Sequence, residues 1–501
     1  MKLNLSKGAK SDDTRIEITQ LSVTKTRAEK VKSFIKTLLS FLGPGYMVAV
    51  GYMDPGNWAT DLSGGSQFGY SLLFVILVSN VMAVVLQSLA VRLGVVTGCD
   101  LAQACKKYYP KWVNVCLYFL CEIAIIACDL AEVIGSAIAL QMLFGLPLPW
   151  GVVITTFDVF LILLANRSDS KLATRFFEGF IFLLVMGVGI CFIIQLVYVK
   201  PVLSQVMMGF LPTAEILTNS KELYVAIGIV GATVMPHNLY LHSHIVKLRS
   251  PNSNTVEPVS SQKELNESVQ SSLMFSIVDC VLALTFALFV NSAILVVASG
   301  AFHYGAGESK VEVADLFDAH QLLTKSLGSV AGVAFALALL LSGQSSTITG
   351  TMAGQIIMEG FLGLTMRPWL RRIITRGLAI VPAMAVAVLF GSKGMNQVLI
   401  GSQVILSLQL PFAVIPLVMF TSSKRVMRVP YIEKNEEFEI TTINSEEPSA
   451  STAFDHEQMF DASEKHFASN LFMKVVTWLI ALIIVGLNGF LLLETARGAT
   501  L

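Results

Sequence analysis

Two hydrophobic stretches of this chain are interrupted by proline at matching places. One reads Asp54-Pro55-Gly56-Asn57 and the other Met235-Pro236-His237-Asn238. Both have the form x-Pro-x-Asn and lie near the middle of a stretch long enough to cross a membrane. Proline removes a backbone donor and clashes with the preceding turn, so a helix breaks there. In hydrocarbon, freed backbone groups persist only where protein or a wet cavity satisfies them. Paired breaks in corresponding halves of a membrane chain mark a buried binding site. The Asp, Asn, Met and His offered at these two breaks read as ligands for an ion.

Composition agrees with a membrane setting. The chain has 501 residues, 54% hydrophobic and 14% charged, whereas soluble domains run at about 45–50% apolar and about 25% charged. The expected class is an all-α integral membrane protein, with the lipid bilayer as its first partner. Formal net charge is zero, so no nucleic-acid partner is expected. The seven cysteines include no CxxC pair, which supports neither a zinc site nor a disulfide framework. No nucleophile–base set or cofactor motif stands out, so neither an enzyme nor a resident cofactor is expected. Residues 1–37 are polar, lack the apolar core of a cleavable signal peptide, and read as a disordered cytosolic tail.

A span needs about 20 mainly apolar residues. Eleven stretches qualify: 38–62, 70–92, 113–141, 149–166, 176–199, 222–247, 271–299, 328–358, 373–391, 395–421 and 472–494. Lys and Arg concentrate in alternate connections, among them Lys106, Lys107, Lys111, Arg367, Arg371, Arg372 and Arg376, and these should face the cytosol. Spans one to five match six to ten, and five is odd. The second set therefore enters from the opposite side, giving a 5+5 inverted repeat with discontinuous helices 1 and 6. The expected organisation is a ten-helix core over 38–421, an acidic disordered cytosolic loop over 422–471, and a last helix over 472–494. A short helix at the outer interface should carry Val313, Leu316, Phe317, His320 and Leu323 on one face.

Taken as a coordination sphere, the breaks supply a carboxylate (Asp54), an amide oxygen (Asn57), a thioether (Met235) and unwound carbonyls near Gly51 and Ala232. Oxygens alone would suit Mg²⁺ or Ca²⁺. A thioether is a soft donor that favours transition metals, so the mixed set points to Mn²⁺, Fe²⁺ or similar ions. The bland alternative makes Met235 a packing residue and Asp54 a helix cap. Ionisable groups inside a membrane are expensive and usually functional. The third span carries Glu122, Asp129 and Glu132, and the sixth carries His237, His242 and His244 followed by Arg249. With Asp54, they compose either a proton pathway or satisfied structural pairs. Arg371, Arg372 and Arg376 either anchor the cytosolic end or pair with a third-span carboxylate. Gln403 is a late ligand or an interhelical hydrogen-bonding group.

From about residue 40 to 421 the chain resembles the NRAMP family of proton-coupled divalent-metal transporters, most closely its fungal and other eukaryotic members. The resemblance rests on Asp54-Pro55-Gly56-Asn57, on Ala232 through Asn238, on Gly343 through Thr351 continuing to Met358-Glu359-Gly360, on Asp129 through Glu132, and on Ser402-Gln403-Val404. It implies a LeuT-like fold. It also implies that Asp54, Asn57, Met235 and the Ala232 carbonyl bind metal, joined by Gln403 in occluded or inward-facing states. By the same resemblance His237, Glu132, Asp129 and Arg249 belong to the proton route, with Arg371 and Arg372 near its exit. The expected activity is symport of protons with Mn²⁺, Fe²⁺, Co²⁺, Cd²⁺ or Zn²⁺ toward the cytosol, by a monomer in the plasma membrane or an endosomal or vacuolar membrane. The rival readings are an organic-solute or Mg²⁺ carrier of the same fold, and a non-transporting metal sensor.

Overall fold

The structure, a computed structural model, describes residues 44–155, 183, 186, 187, 189, 190, 192–247, 262–304, 316–364, 366–429 and 466–497. The expected tail 1–37, much of spans 149–166 and 176–199, Val313, Arg249, and the middle of the acidic loop lie outside them.

The described chain is helical. The first span is broken as expected, into α1 (Pro44–Gly51) and α2 (Pro55–Phe68), and it ends six residues beyond the expected limit of 62. Then follow α3 (Leu73–Thr97), a short α4 (Leu101–Tyr108) and α5 (Lys111–Phe144). The second broken span is α6 (Ser220–Thr233) and α7 (Pro236–Lys247). The remainder are α8 (Gln262–Ala298), α9 (Leu316–Leu327), α10 (Ser329–Leu362), α11 (Pro368–Leu389), α12 (Gly391–Ser422) and α13 (Leu471–Ala496). Eight helices among the described residues, counting α6–α7 as one, are long and apolar enough to cross a membrane. Exposed apolar side chains such as Phe119, Val381, Leu389 and Leu482 cover the outer faces of these spans. Such a surface belongs against lipid tails rather than water.

Local chemistry sets the ends. Gly98, Gly145 and Gly363 adopt positive φ and close α3, α5 and α10, a position where a Cβ would be strained. Asp100 begins α4 with a capping box: its carboxylate accepts from the Gln103 backbone and the Gln103 side chain accepts from the Asp100 backbone. The cap ties inward as well, since Lys247 Nζ at the end of α7 lies 2.8 Å and His244 Nδ1 lies 2.9 Å from Asp100 Oδ2.

The broken helices sit inside the bundle. Residues of α1, α2, α6 and α7 are almost all buried, enclosed by α5, α8, α10 and α12. Close approach depends on missing side chains. A Cβ on Gly135 of α5 would run into the Pro55 ring, and one on Gly231 of α6 would strike the backbone of α12 at Gln403 and Ser407. Helices in membranes pack through such small residues. A helix is present at the expected place as α9; it buries Leu316, Ala319 and Leu323 and leaves Phe317 and His320 half-buried. At the other end, the chain leaving α12 and the chain entering α13 are pinned together, with Phe467 N donating to Met427 O and Ser469 N to Thr421 O, both at 2.9 Å.

Candidate metal centre

Each proline unties one carbonyl. A helical carbonyl accepts from the residue four positions on, so Pro55 frees Gly51 and Pro236 frees Ala232. The asparagine two residues past each proline approaches the opposite break, and for Asn57 a hydrogen bond to the freed carbonyl is made. Asn57 Nδ2 donates to the Ala232 carbonyl at 3.0 Å. The Asn238 amide lies against Gly51 closely enough to exclude any Cβ there. The two breaks therefore lie against one another, joined by the Asn57–Ala232 hydrogen bond.

The residue ahead of each proline shows the same correspondence. Asp54 is the N-cap of α2, and its Oδ1 accepts from Asn57 N at 2.8 Å and from Asn57 Nδ2 at 2.7 Å. Met235 takes the equivalent place in the second break, and Asn238 Nδ2 lies 3.7 Å from its sulfur. A hard donor and a soft donor thus stand at symmetry-related positions. Gln403 of α12 lies over Gly56; its Nε2 donates to Ser402 Oγ at 3.0 Å. Asp54, Asn57, Ala232, Met235 and Gln403 are all at most 1% exposed, so the site is closed to both faces. Asp54 Oδ2, Gln403 Oε1, Asn238 Oδ1 and His237 Nδ1 are buried with no hydrogen-bond partner among the described residues.

One expected ligand is turned the other way. Asn57 presents its nitrogen, not its oxygen, to Asp54 and Ala232, because those two oxygens draw the donor end of the amide. Its Oδ1 instead faces Asn291 Nδ2 at 3.4 Å, and amide-oxygen ligation requires the side chain to rotate. Among the described residues no group of three or more His, Cys, Asp or Glu side chains could hold a metal. The donor set is mixed, with Asp54 as its carboxylate.

The third-span carboxylates form a second polar assembly beside this centre. Glu122 pairs with Arg371 at 2.6 Å, and Asp129 pairs with Arg372. Glu132 accepts from Ser346 and Thr347 at 2.8 Å each and lies 3.4 Å from Arg372 and 3.5 Å from Arg376. Arg371, Arg372 and Arg376 are therefore buried ion-pair partners, not solvent-facing anchors. Sequence reasoning missed the hydroxyls of Ser346 and Thr347. The ion pairs themselves carried a signal: Asp129 and Glu132 are three apart and Arg372 and Arg376 four apart, so each pair lines one helix face.

His242 is held apart from that assembly. Its Nδ1 lies 2.9 Å from Gln87 Oε1, and Gln87 Nε2 donates to Tyr52 Oη at 2.9 Å. The Tyr52 carbonyl accepts from Asn291, whose amide also reaches Asn57. Gln87, Tyr52 and Asn291 carried no sequence signal, because a lone polar residue in an apolar span has no register to betray its partner.

Against known proteins, the family model described as natural resistance-associated macrophage protein-like matches residues 45–436. The chain belongs to the Nramp family. A Nostoc relative named divalent metal cation transporter MntH is 48% identical, covering 94% of this chain and 95% of that protein. One of the same name from Xanthomonas campestris pv. campestris is also 48% identical, covering 92% of each. A crystal structure of the Eremococcus coleocola manganese transporter superposes with a TM-score of 0.73 at 36% identity, covering 91% of this chain and 86% of that one. Membership brings the LeuT-like fold expected of the sequence, and these Nramp relatives are transporters, not enzymes. All three are bacterial, so the eukaryotic leaning of the motifs draws no support from them.

Proposed function

We propose that this Nramp protein carries divalent transition-metal ions across a membrane, coupled to protons and directed toward the cytosol. The observation that carries the reading is the meeting of the two breaks, where the Asn57 amide bridges Asp54 and the Ala232 carbonyl beside the Met235 thioether. A buried carboxylate, freed carbonyls and a sulfur at the two breaks suit a cation with partial softness, Mn²⁺ or Fe²⁺ before Ca²⁺ or Mg²⁺; Co²⁺, Cd²⁺ and Zn²⁺ share that chemistry. A buried Asp54 repels the carboxylate of an organic solute. The relatives carry the names of divalent-cation and manganese transporters, which supports the same choice.

In this reading metal binds with Asp54, Asn57, Met235, Ala232, Gly51 and Gln403. The Glu132–Asp129–Arg372–Arg376 assembly, with Glu122–Arg371, His237 and His242, offers proton sites apart from the metal. The arginine-rich end faces the cytosol, and the protein acts as a monomer in the plasma membrane; the endosomal or vacuolar alternative draws no support from bacterial relatives. Uptake of Mn²⁺ by proteoliposomes, with and without external acid, tests both halves. Asp54→Ala should abolish uptake, and Glu132→Gln should leave Mn²⁺ binding in place while flattening its dependence on external acidity. Metal uptake that survives in Asp54→Ala overturns the site assignment.

A further inference from the structure

Asp61 lies two turns along α2 from Asp54, about 10 Å toward the end of the bundle opposite the arginines. It is 1% exposed, and neither of its carboxylate oxygens has a hydrogen-bond partner among the described residues. Isolated carboxylates are not left so in a protein interior without a reason. The neighbouring turns of α2 show what flanks it. On one side, Asn57 meets Asn291 of α8, and the Trp58 ring packs edge-on to Phe192 at 4.7 Å. On the other, Gly65 meets Leu295 and Ala298 of α8. By helix periodicity Asp61 shares the side of α2 that these neighbours turn toward α8 and the helix over 192–199. Gln195 is one turn beyond Phe192 on that helix, fully buried, with both its amide oxygen and its nitrogen unpartnered. Asn291 Oδ1, from the α8 side, is unpartnered as well.

We propose that Asp61, with the amide oxygen of Gln195, forms a second cation station in the outer half of the path, where an incoming divalent ion pauses before Asp54. The inference rests on the transport reading above. Its donors are oxygens alone. Hard divalent ions bind oxygen sets without a soft ligand, so the outer station takes Ca²⁺ or Mg²⁺ as readily as Mn²⁺ and leaves discrimination to Met235.

The test reconstitutes the full chain in liposomes and follows Mn²⁺ uptake against external Ca²⁺. Asp61→Asn keeps the shape and mimics a carboxyl that merely holds a proton. It should raise KM for Mn²⁺ on the order of tenfold with the maximal rate within about twofold, the pattern of lost binding rather than lost turnover. It should also remove inhibition by Ca²⁺. Gln195→Met, similar in size, should move both in the same direction, with an unchanged melting temperature showing that the fold is intact. Calorimetry supplies a readout independent of flux: Ca²⁺ should still bind Asp54→Asn protein, and adding Asp61→Asn should abolish that binding. Wild-type KM, Ca²⁺ inhibition and Ca²⁺ binding in the Asp61 and Gln195 variants overturn the station. Wild-type protein with no saturable Mn²⁺ uptake overturns the transport reading instead, and the calorimetry then decides the station by itself.

Discussion

Met235 and Asp54 hold equivalent places at the two breaks, so selectivity can be adjusted at one without touching the other. Met235→Ala removes the soft donor and leaves the oxygens. Mn²⁺ transport should weaken while Ca²⁺ or Mg²⁺ gains, read as the ratio of uptake rates in competition; an unchanged ratio places selectivity elsewhere. The change also empties a fully buried position and should cost roughly 2–5 kcal/mol of stability, so rates need normalising to folded protein. At this scale the pairing of the two breaks was legible in the sequence, because proline and asparagine recur in register. The orientation of Asn57 was not. A side-chain torsion is set by the oxygens that surround it, and those come from a segment 175 residues away.

Between elements, the decisive contact is the one α11 makes with α5. Arg372 stands between Asp129 and Glu132, with Arg376 one turn further on. Removing one partner of a buried ion pair strands the other, at a cost of about 3–5 kcal/mol. Arg372→Ala should therefore lower the melting temperature sharply, and Asp129→Asn added to it should recover part of the loss; an additive double variant argues against the pairing. Helix existence and approximate limits were readable from apolar length, and the breaks from proline. Helix ends were less so: α8 begins nine residues before the expected 271, because polar residues such as Lys263 and Glu264 extend a helix beyond the lipid without adding to its hydropathy. The burial of three arginines was hidden for a related reason. Charge near a span end looks the same in sequence whether it faces water or a neighbouring helix.

Across the whole molecule, the basic end is tied by contacts between α4 and the end of α7. Burial alone would raise the Asp100 carboxyl, but His244 and Lys247 outweigh it and hold Asp100 below the usual carboxylate range. A carboxyl depressed in the folded state contributes stability above its unfolded pKa of about 3.9 and loses it as pH falls through the folded value. The tie between α4 and α7 should therefore persist throughout the neutral and mildly acid range. Asp100→Ala removes the cap and the pairing together. It should lower the melting temperature in detergent by an amount that is constant near neutrality and shrinks once pH drops below about 4; a difference that vanishes by pH 6 overturns this account. The overall architecture was legible because odd-numbered repeats leave few arrangements. What joins its ends was not, since a capping box at Asp100 announces a helix start but not the partner that reaches it.

The Asn57 amide has one more consequence, for the journey home. A carrier that has released its cargo must recross with its site shut, and a bare carboxylate facing a loose carbonyl would resist that closure. The Asn57 nitrogen reaches one oxygen of the Asp54 carboxylate and the Ala232 carbonyl together. In the proposed cycle the Asn57 nitrogen would serve as a placeholder, so that the empty carrier returns without an ion to fill the gap.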